Sequence, residues 1–334
     1  MEQLMKSTPF RWGIIGTGHF AFDIARPVTK SGRHVFVAAY NRTVTKAERF
    51  VQTYGGTIYQ DIDAMLKDPN IDGIYIATTA NSHADFARLA IQAKKPVLVE
   101  KPFGINQAQT AQVYQEAKAA GVYLTEAMWT WYNDVATTVK KWLQEKRIGD
   151  IQKVKITFGM PIVNFQPNHR LTNANLCGSA LMDIGVYPLH YIYELFGEPS
   201  SIECDGYVED GVDYHSKSIL HYPNFDVNVG VAMDRFLGER CVIIGSEGKI
   251  IVPYFHMAHK AILKTKKERI VFKNPNGRTS DLYVPQFDRV ASEIRQGKVA
   301  SEYVTPTSTI ATIGLIDQCR KLLKIFVRNE NNEF

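Results

Sequence analysis

A chain of 334 residues is long enough for two domains, each with a core of its own. At 45% hydrophobic and 22% charged residues the composition excludes a disordered polymer, and no apolar run reaches the length of a membrane span. The net charge of +5 is too mild for a nucleic-acid partner, although it suits an anionic cofactor.

The first element expected is a strand ending in Gly13-Ile14-Ile15-Gly16-Thr17-Gly18, followed by a helix over Phe20–Thr29. Gly16, Gly18 and Ala21 spell G-x-G-x-x-A, the turn at which a dinucleotide pyrophosphate meets a helix N-terminus. Gly16 allows the sharp turn, Gly18 lets phosphate approach the backbone, and Ala21 lets the helix pack close to the strand. Thr17, His19 and Phe20 lie in the same loop. Further strands are expected at 34–40, 57–59, 71–77, 95–100 and 122–126. Helices are expected at 44–54, 61–67, 81–93 and 106–120. This alternation over residues 1–126 predicts a doubly wound parallel sheet of the Rossmann type.

Beyond it, residues 127–334 predict an α+β domain with a large, mostly antiparallel open sheet. A helix is expected over 134–146, then strands at 151–158, 201–208, 216–221, 227–234, 240–244, 249–252 and 261–264. Further helices are expected at 179–196, 285–296 and 307–327. The basic cluster of Lys264, Lys266, Lys267 and Arg269 reads as a solvated strand end or turn. An open face on such a sheet suits self-association, so a homodimer or homotetramer is expected. The scattered Cys177, Cys204, Cys241 and Cys319 show no metal-ligand spacing. With no leader-like apolar stretch, a cytoplasmic protein with reduced thiols and no metal is expected.

Ligands of open parallel sheets lie beyond the carboxyl ends of the strands. The residues expected there, besides the glycine turn, are Asn41, Arg42 and Thr43, then Thr78, Thr79, Asn81 and His83, then Glu100 and Lys101. Arg42 stands where NAD-binding chains carry an acid for the ribose hydroxyls, and no acid occurs at 40–43. An arginine there suits the 2′-phosphate of NADP, with NAD as the alternative. Asn41 and Thr43 offer further hydrogen bonds. Asn81 or Ser82 is a candidate helix N-cap. Asp183 and Tyr187 would share a helix face, in a segment made irregular by Gly185 and by Pro188, which disfavours helical dihedrals at Tyr187. Trp129, Trp131 and Phe158 read equally as core or as the wall of a substrate pocket, and His190 lies just beyond Tyr187.

Three segments together resemble the glucose–fructose oxidoreductase/inositol dehydrogenase/rhizopine catabolism (Gfo/Idh/MocA) family. They are Gly13–Gly18, Glu100-Lys101-Pro102 and Gly178–Tyr187. Tyr187, with Glu126-Ala127-Met128-Trp129-Thr130 upstream, is similar to the branch of dimeric dihydrodiol dehydrogenases and NADP-dependent xylose dehydrogenases. Ser179 departs from the glycine of many relatives, and Trp131 and Asn133 depart from their basic or proline residues. The resemblance implies hydride transfer between NADP and a secondary alcohol or carbonyl of a sugar, polyol or cyclic diol. It implies Tyr187 as acid/base, Lys101 as the catalytic lysine, and Asp183 holding the substrate or the lysine. A non-catalytic NADP-binding sensor is the rival reading. A glycosidase using transient NAD oxidation fits less well, given the missing acid near Arg42.

Overall fold

The structure is a computed structural model that describes residues 8–162, 170–275 and 279–325. Two compact units divide the chain. The first comprises Met1–Gly104, Gln109–Tyr132 and Arg278–Pro306, and the second Ile105–Ala108, Asn133–Gly277 and Thr307–Phe334. Arg278–Pro306, placed with the second domain on sequence grounds, thus folds with the first.

In the first unit β1 (Phe10–Ile15) leads into α1 (His19–Lys30). After these come β2 (His34–Tyr40), α2 (Val44–Tyr54), β3 (Thr57–Tyr59), α3 (Ile62–Lys67), β4 (Gly73–Ile76), α4 (His83–Gln92), β5 (Val97–Val99), α5 (Gln107–Ala120) and β6 (Leu124–Glu126). The six strands run parallel in the order β3-β2-β1-β4-β5-β6. Every residue of β4 and β5 is buried, as expected of strands covered on both faces. Strand order reverses at β1, the switch point at whose carboxyl edge sheets of this kind bind their ligands.

The second unit holds α6 (Asp134–Gln144), β7 (Ile151–Gly159) and α7 (Val186–Phe196). It continues with β8 (Ser201–Glu209), β9 (Val212–Tyr222), β10 (Phe225–Ala232), β11 (Gly238–Gly245), β12 (Gly248–Pro253), β13 (Lys260–Thr265) and β14 (Arg269–Lys273). The sheet order is β14-β13-β12-β11-β7-β10-β9-β8, antiparallel except for the β7–β10 pair. The chain then returns to the first unit as α8 (Val284–Arg295) and closes the second with α9 (Pro306–Leu322). Among the described residues no helix is long and apolar enough to cross a membrane.

The basic cluster is the exposed strand end and turn expected: Lys264 pairs with Arg269 where β13 and β14 meet, and Thr265 Oγ1 accepts from the backbone of Lys267 and Glu268, both at 3.1 Å. Three expectations need correction. Ser82 stands at the N-cap of α4, but its hydroxyl turns to Thr78 Oγ1 and the Thr79 carbonyl, both at 2.9 Å, and caps nothing. Tyr187 is helical. The helix runs unbroken from a π-helical turn over Leu181–Gly185 into α7, so the irregularity lies in that wider turn just upstream of Pro188. Finally, α9 ends at Leu322, and residues 326–327 of the expected helix lie outside the described residues.

The core of the first unit is aromatic. Phe287 of α8 lies among Trp12 (5.2 Å between ring centres), His34 (5.9 Å), Phe36 (6.4 Å) and Tyr75 (5.2 Å), so a late segment completes the packing under β1, β2 and β4.

Candidate active site

The glycine turn behaves as its composition requires. Gly16 has φ +93°, and a Cβ there would lie 2.6 Å from the Ala77 carbonyl oxygen, so the loops after β1 and β4 touch through bare backbone. Gly18 is the opposite case. Its φ is −72°, and a Cβ would meet no heavy atom within 4 Å among the described residues. It is the N-cap of α1 and offers no side chain to cap the amides at that helix start. His19 and Phe20 open the helix and are exposed.

Asn41 ties the β2 loop to the glycine loop. Its Nδ2 donates to Thr17 Oγ1 at 3.0 Å, while its Oδ1 accepts from Thr43 N at 2.9 Å. Arg42 is exposed at the same strand end and makes no ion pair among the described residues. This donor set fits a phosphorylated dinucleotide: a bare helix start for the pyrophosphate, and a cation with no competing acid for a 2′-phosphate.

After β4, Thr78 and Thr79 hold Ser82, and Asn81 belongs to the short turn Ala80–Ser82. His83 is 1% exposed, with Nδ1 2.9 Å from the Pro102 carbonyl and Nε2 3.2 Å from that of Thr78. It clasps the loops after β4 and β5.

Lys101 stands half-buried after β5, and the Lys101–Pro102 peptide is cis. Two carboxylates hold its loop. Glu100 accepts from the Tyr75 hydroxyl at 2.7 Å and from Lys101 N at 3.2 Å, and Glu126 accepts from Phe103 N at 2.8 Å. Both are buried among groups that donate to them, which is what makes a buried carboxylate tolerable. Tyr75 was not foreseen; its only signal is a phenol in the otherwise aliphatic Gly73-Ile74-Tyr75-Ile76. Trp129 and Trp131 are each 3% exposed. Trp129 packs on Tyr283 at 4.5 Å, and Tyr283 also meets Phe20 at 6.1 Å.

In the second unit, Asp213 of β9 anchors the Gly178–Tyr187 segment. Its carboxylate accepts from the Ser179 hydroxyl and, at 2.8 Å, from Leu181 N, and Ser179 Oγ accepts from Met182 N at 3.1 Å. Ser179 is therefore a working member of the network. Burial pushes the Asp213 carboxyl above its usual range, against the pull of those donors. Gly178 is required by space, since a Cβ would lie 2.4 Å from the Arg170 carbonyl.

Asp183 pairs with Arg170 at 3.1 Å. Tyr187 is 6% exposed and packs against Phe158 (6.0 Å) and His256 (5.3 Å). His190 is 1% exposed on α7, and burial pushes its pKa down to about 4, so it is neutral at pH 7. The four thiols are free, yet they are not all apart. Cys204 and Cys319 share the Ser218 hydroxyl, at 3.3 and 3.5 Å.

The strand order, the glycine turn and the loops at the carboxyl edge define a dinucleotide-binding Rossmann domain, here joined to a second unit on a largely antiparallel sheet. Comparison with known proteins carries this further. Residues 10–128 match the family described as "Oxidoreductase family, NAD-binding Rossmann fold" (GFO_IDH_MocA), and residues 136–251 match the "GFO/IDH/MocA C-terminal domain". The chain belongs to the Gfo/Idh/MocA oxidoreductase family.

Among curated relatives, the trans-1,2-dihydrobenzene-1,2-diol dehydrogenase of Xenopus laevis is 30% identical over 265 residues, 77% of this chain and 79% of that one. The enzyme of the same name from Mus musculus is 32% identical over 219 residues, 64% of this chain and 65% of that one. Among solved structures, the 3-ketoreductase KijD10 of Actinomadura kijaniata, in complex with NADP and TDP-benzene, superposes with a TM-score of 0.81. It is 22% identical, with 94% of this chain and 97% of that one covered. The aldose-aldose oxidoreductase of Caulobacter crescentus gives 0.84 at 20% identity, covering 95% and 98%. At these identities the structures establish the fold.

Proposed function

We propose that the protein is an NADP-preferring oxidoreductase acting on a secondary alcohol or carbonyl of a sugar, polyol or cyclic diol. The observation that carries this reading is the Lys101 loop. Two buried carboxylates, a buried tyrosine and a buried histidine all converge to fix it at the carboxyl edge of the nucleotide-binding sheet. Such investment is what holding a charged group in place requires.

When bound, the nicotinamide supplies the hydride acceptor or donor. The chain's own residues do the rest. The α1 N-terminus and Gly18 receive the pyrophosphate, Arg42 the 2′-phosphate, and Thr17 and Asn41 keep these loops in register. Lys101 orients the reacting oxygen and stabilises negative charge on it. Tyr187 exchanges the hydroxyl proton as general acid or base, and Asp183, set by Arg170, orients the substrate. Trp129, Trp131 and Phe158 supply apolar contact. The relatives named as diol dehydrogenases support the substrate class. The exposed aromatic and aliphatic residues on the second sheet, Tyr207 and Ile244, support self-association through that sheet.

The test is to supply purified protein with NADP or NAD and a panel of sugars, polyols and cyclic diols while following the absorbance of reduced cofactor. Turnover with NADP is expected, abolished in Lys101→Met and cut by ~10²–10⁴-fold in Tyr187→Phe. Tight NADP binding with no turnover on any member would instead indicate a sensor.

A further inference from the structure

Within the second unit, two thiols meet at the edge of the sheet. β8 ends the strand order, and alternation along it exposes Glu203 and Asp205 on one face while Cys204 turns half-buried to the other. Cys204 lies opposite Ser218 of β9. The Ser218 hydroxyl donates to Cys204 Sγ at 3.3 Å and lies 3.5 Å from Sγ of Cys319, which is fully buried in α9.

The four thiols are not chemically alike. A thiolate, not a thiol, attacks an electrophile. Burial pushes the thiols of Cys177 and Cys241 up, which keeps them protonated. At Cys204 the balance reverses: the facing Cys319 thiol, reinforced by Ser218, holds the group below its usual range against the effect of burial. Cys319 is pushed up by Cys204 beside it and by burial. Negative charge therefore settles on the sulfur nearer to solvent, with a protonated thiol held behind it. Packing alone calls for no hydroxyl touching both sulfurs, since an apolar side chain fills that space without a polar group to satisfy.

We propose that Cys204 and Cys319 form a hydroperoxide-reactive dithiol, with Cys204 attacking and Cys319 resolving, that closes into a disulfide fastening β8 to α9. The Cys204 thiolate attacks one oxygen of the hydroperoxide and the O–O bond breaks. Cys204 becomes a sulfenic acid, and the departing oxygen takes a proton and leaves as an alcohol, or as water from hydrogen peroxide. The Cys319 sulfur then attacks Cys204, the S–S bond forms, and the S–O bond breaks to release the hydroxyl with the Cys319 proton as water. Two thiols are oxidised by two electrons and one hydroperoxide is reduced. The bridge would form one residue before Arg320, whose guanidinium donates to the Ile105 carbonyl at 2.9 Å and lies 3.9 Å from Met182 Sδ in the π-helical turn.

The test treats the reduced full-length protein with one equivalent of hydrogen peroxide at pH 7, then unfolds it, alkylates it and reads its peptides by mass spectrometry. A linked Cys204–Cys319 peptide, lighter by two hydrogens, is expected, with Cys177 and Cys241 alkylated. Cys204 should react at least about tenfold faster than Cys177. In Cys319→Ser the reaction should stop at a Cys204 sulfenic acid that dimedone captures, and in Cys204→Ser the buried Cys319 should stay alkylatable. The wild-type linkage carries the test even if neither variant folds. In urea, where only distance along the chain remains, the preference among the four thiols should vanish, and its persistence there would overturn the proposal. So would oxidation of Cys177 ahead of Cys204, a wild-type Cys204 that stays reduced or stops at sulfenic acid, or a bridge to Cys177, to Cys241 or to a second chain.

Discussion

Gly16 and Gly18 are two residues apart and are glycines for different reasons, so one substitution at each separates backbone geometry from ligand recognition. At Gly18 the backbone is at φ −72°, ψ −178°, which any residue adopts, and an added methyl meets nothing within 4 Å among the described residues. Gly18→Ala should leave the fold intact, or stabilise it by ~0.4–1 kcal/mol through a less flexible unfolded chain. The same methyl stands over the start of α1, where the pyrophosphate must come close, so NADP affinity should fall by at least about tenfold, or ~1.4 kcal/mol. At Gly16 the order reverses. An alanine at φ +93° costs ~1–2 kcal/mol of backbone strain. Its Cβ, 2.6 Å from the Ala77 carbonyl oxygen, adds ~1–3 kcal/mol of overpacking against backbone that has little room to yield. The sum, ~2–5 kcal/mol, corresponds to a fall in Tm of roughly 4–20 °C at ~2–4 °C per kcal/mol. Thermal melts and NADP titration on both variants are the assay. If Gly18→Ala binds NADP as the wild type does, this turn is not the phosphate cradle.

Arg42→Asp should invert cofactor preference. The wild type is expected to bind NADP about ten- to a hundredfold more tightly than NAD, from one hydrogen bond to a charged group, and the variant should favour NAD. Equal wild-type affinities would take Arg42 out of the ribose site. His190, with a pKa near 4, should make stability depend on pH. The unfolded state binds its proton from about pH 6.5 downward and the folded state does not until about pH 4. Stability should therefore decline by ~3 kcal/mol as pH falls through that window. His190→Asn should flatten this part of the stability–pH curve, and an unchanged slope would refute the assignment. Phe287→Ala removes a ring flanked by four aromatic side chains and should cost ~3–5 kcal/mol in chemical denaturation.

Much of the first unit was legible because its signals are local. Apolar β-branched runs, amphipathic helices and a glycine turn each act over a few residues, and the parallel order follows from their alternation. Lys101, Arg42 and Tyr187 could be named from strand ends and from resemblance. What could not be read depends on pairing at long range. Nothing near Glu100 announces Tyr75, and nothing near Ser179 announces Asp213. Cys204 and Cys319 looked isolated because 115 positions of sequence hide their common neighbour Ser218. The π-helical turn was misread as a broken dihedral at Tyr187, since sequence shows that a helix is disturbed but not which turn absorbs the extra residue.

The place of Phe287 also bears on how the chain is made. Trp12, Phe36 and Tyr75 emerge early from the ribosome, while the α8 ring that covers them lies 275 residues after Trp12 (287 − 12). At ~5–20 residues per second, this aromatic surface waits roughly 14–55 s for its partner, with the second unit's entire sheet synthesised in between. During that interval the nascent sheet offers exposed rings to any chaperone or neighbouring chain. A truncated chain ending after β6 should share this liability permanently, sticky where the full-length protein is not.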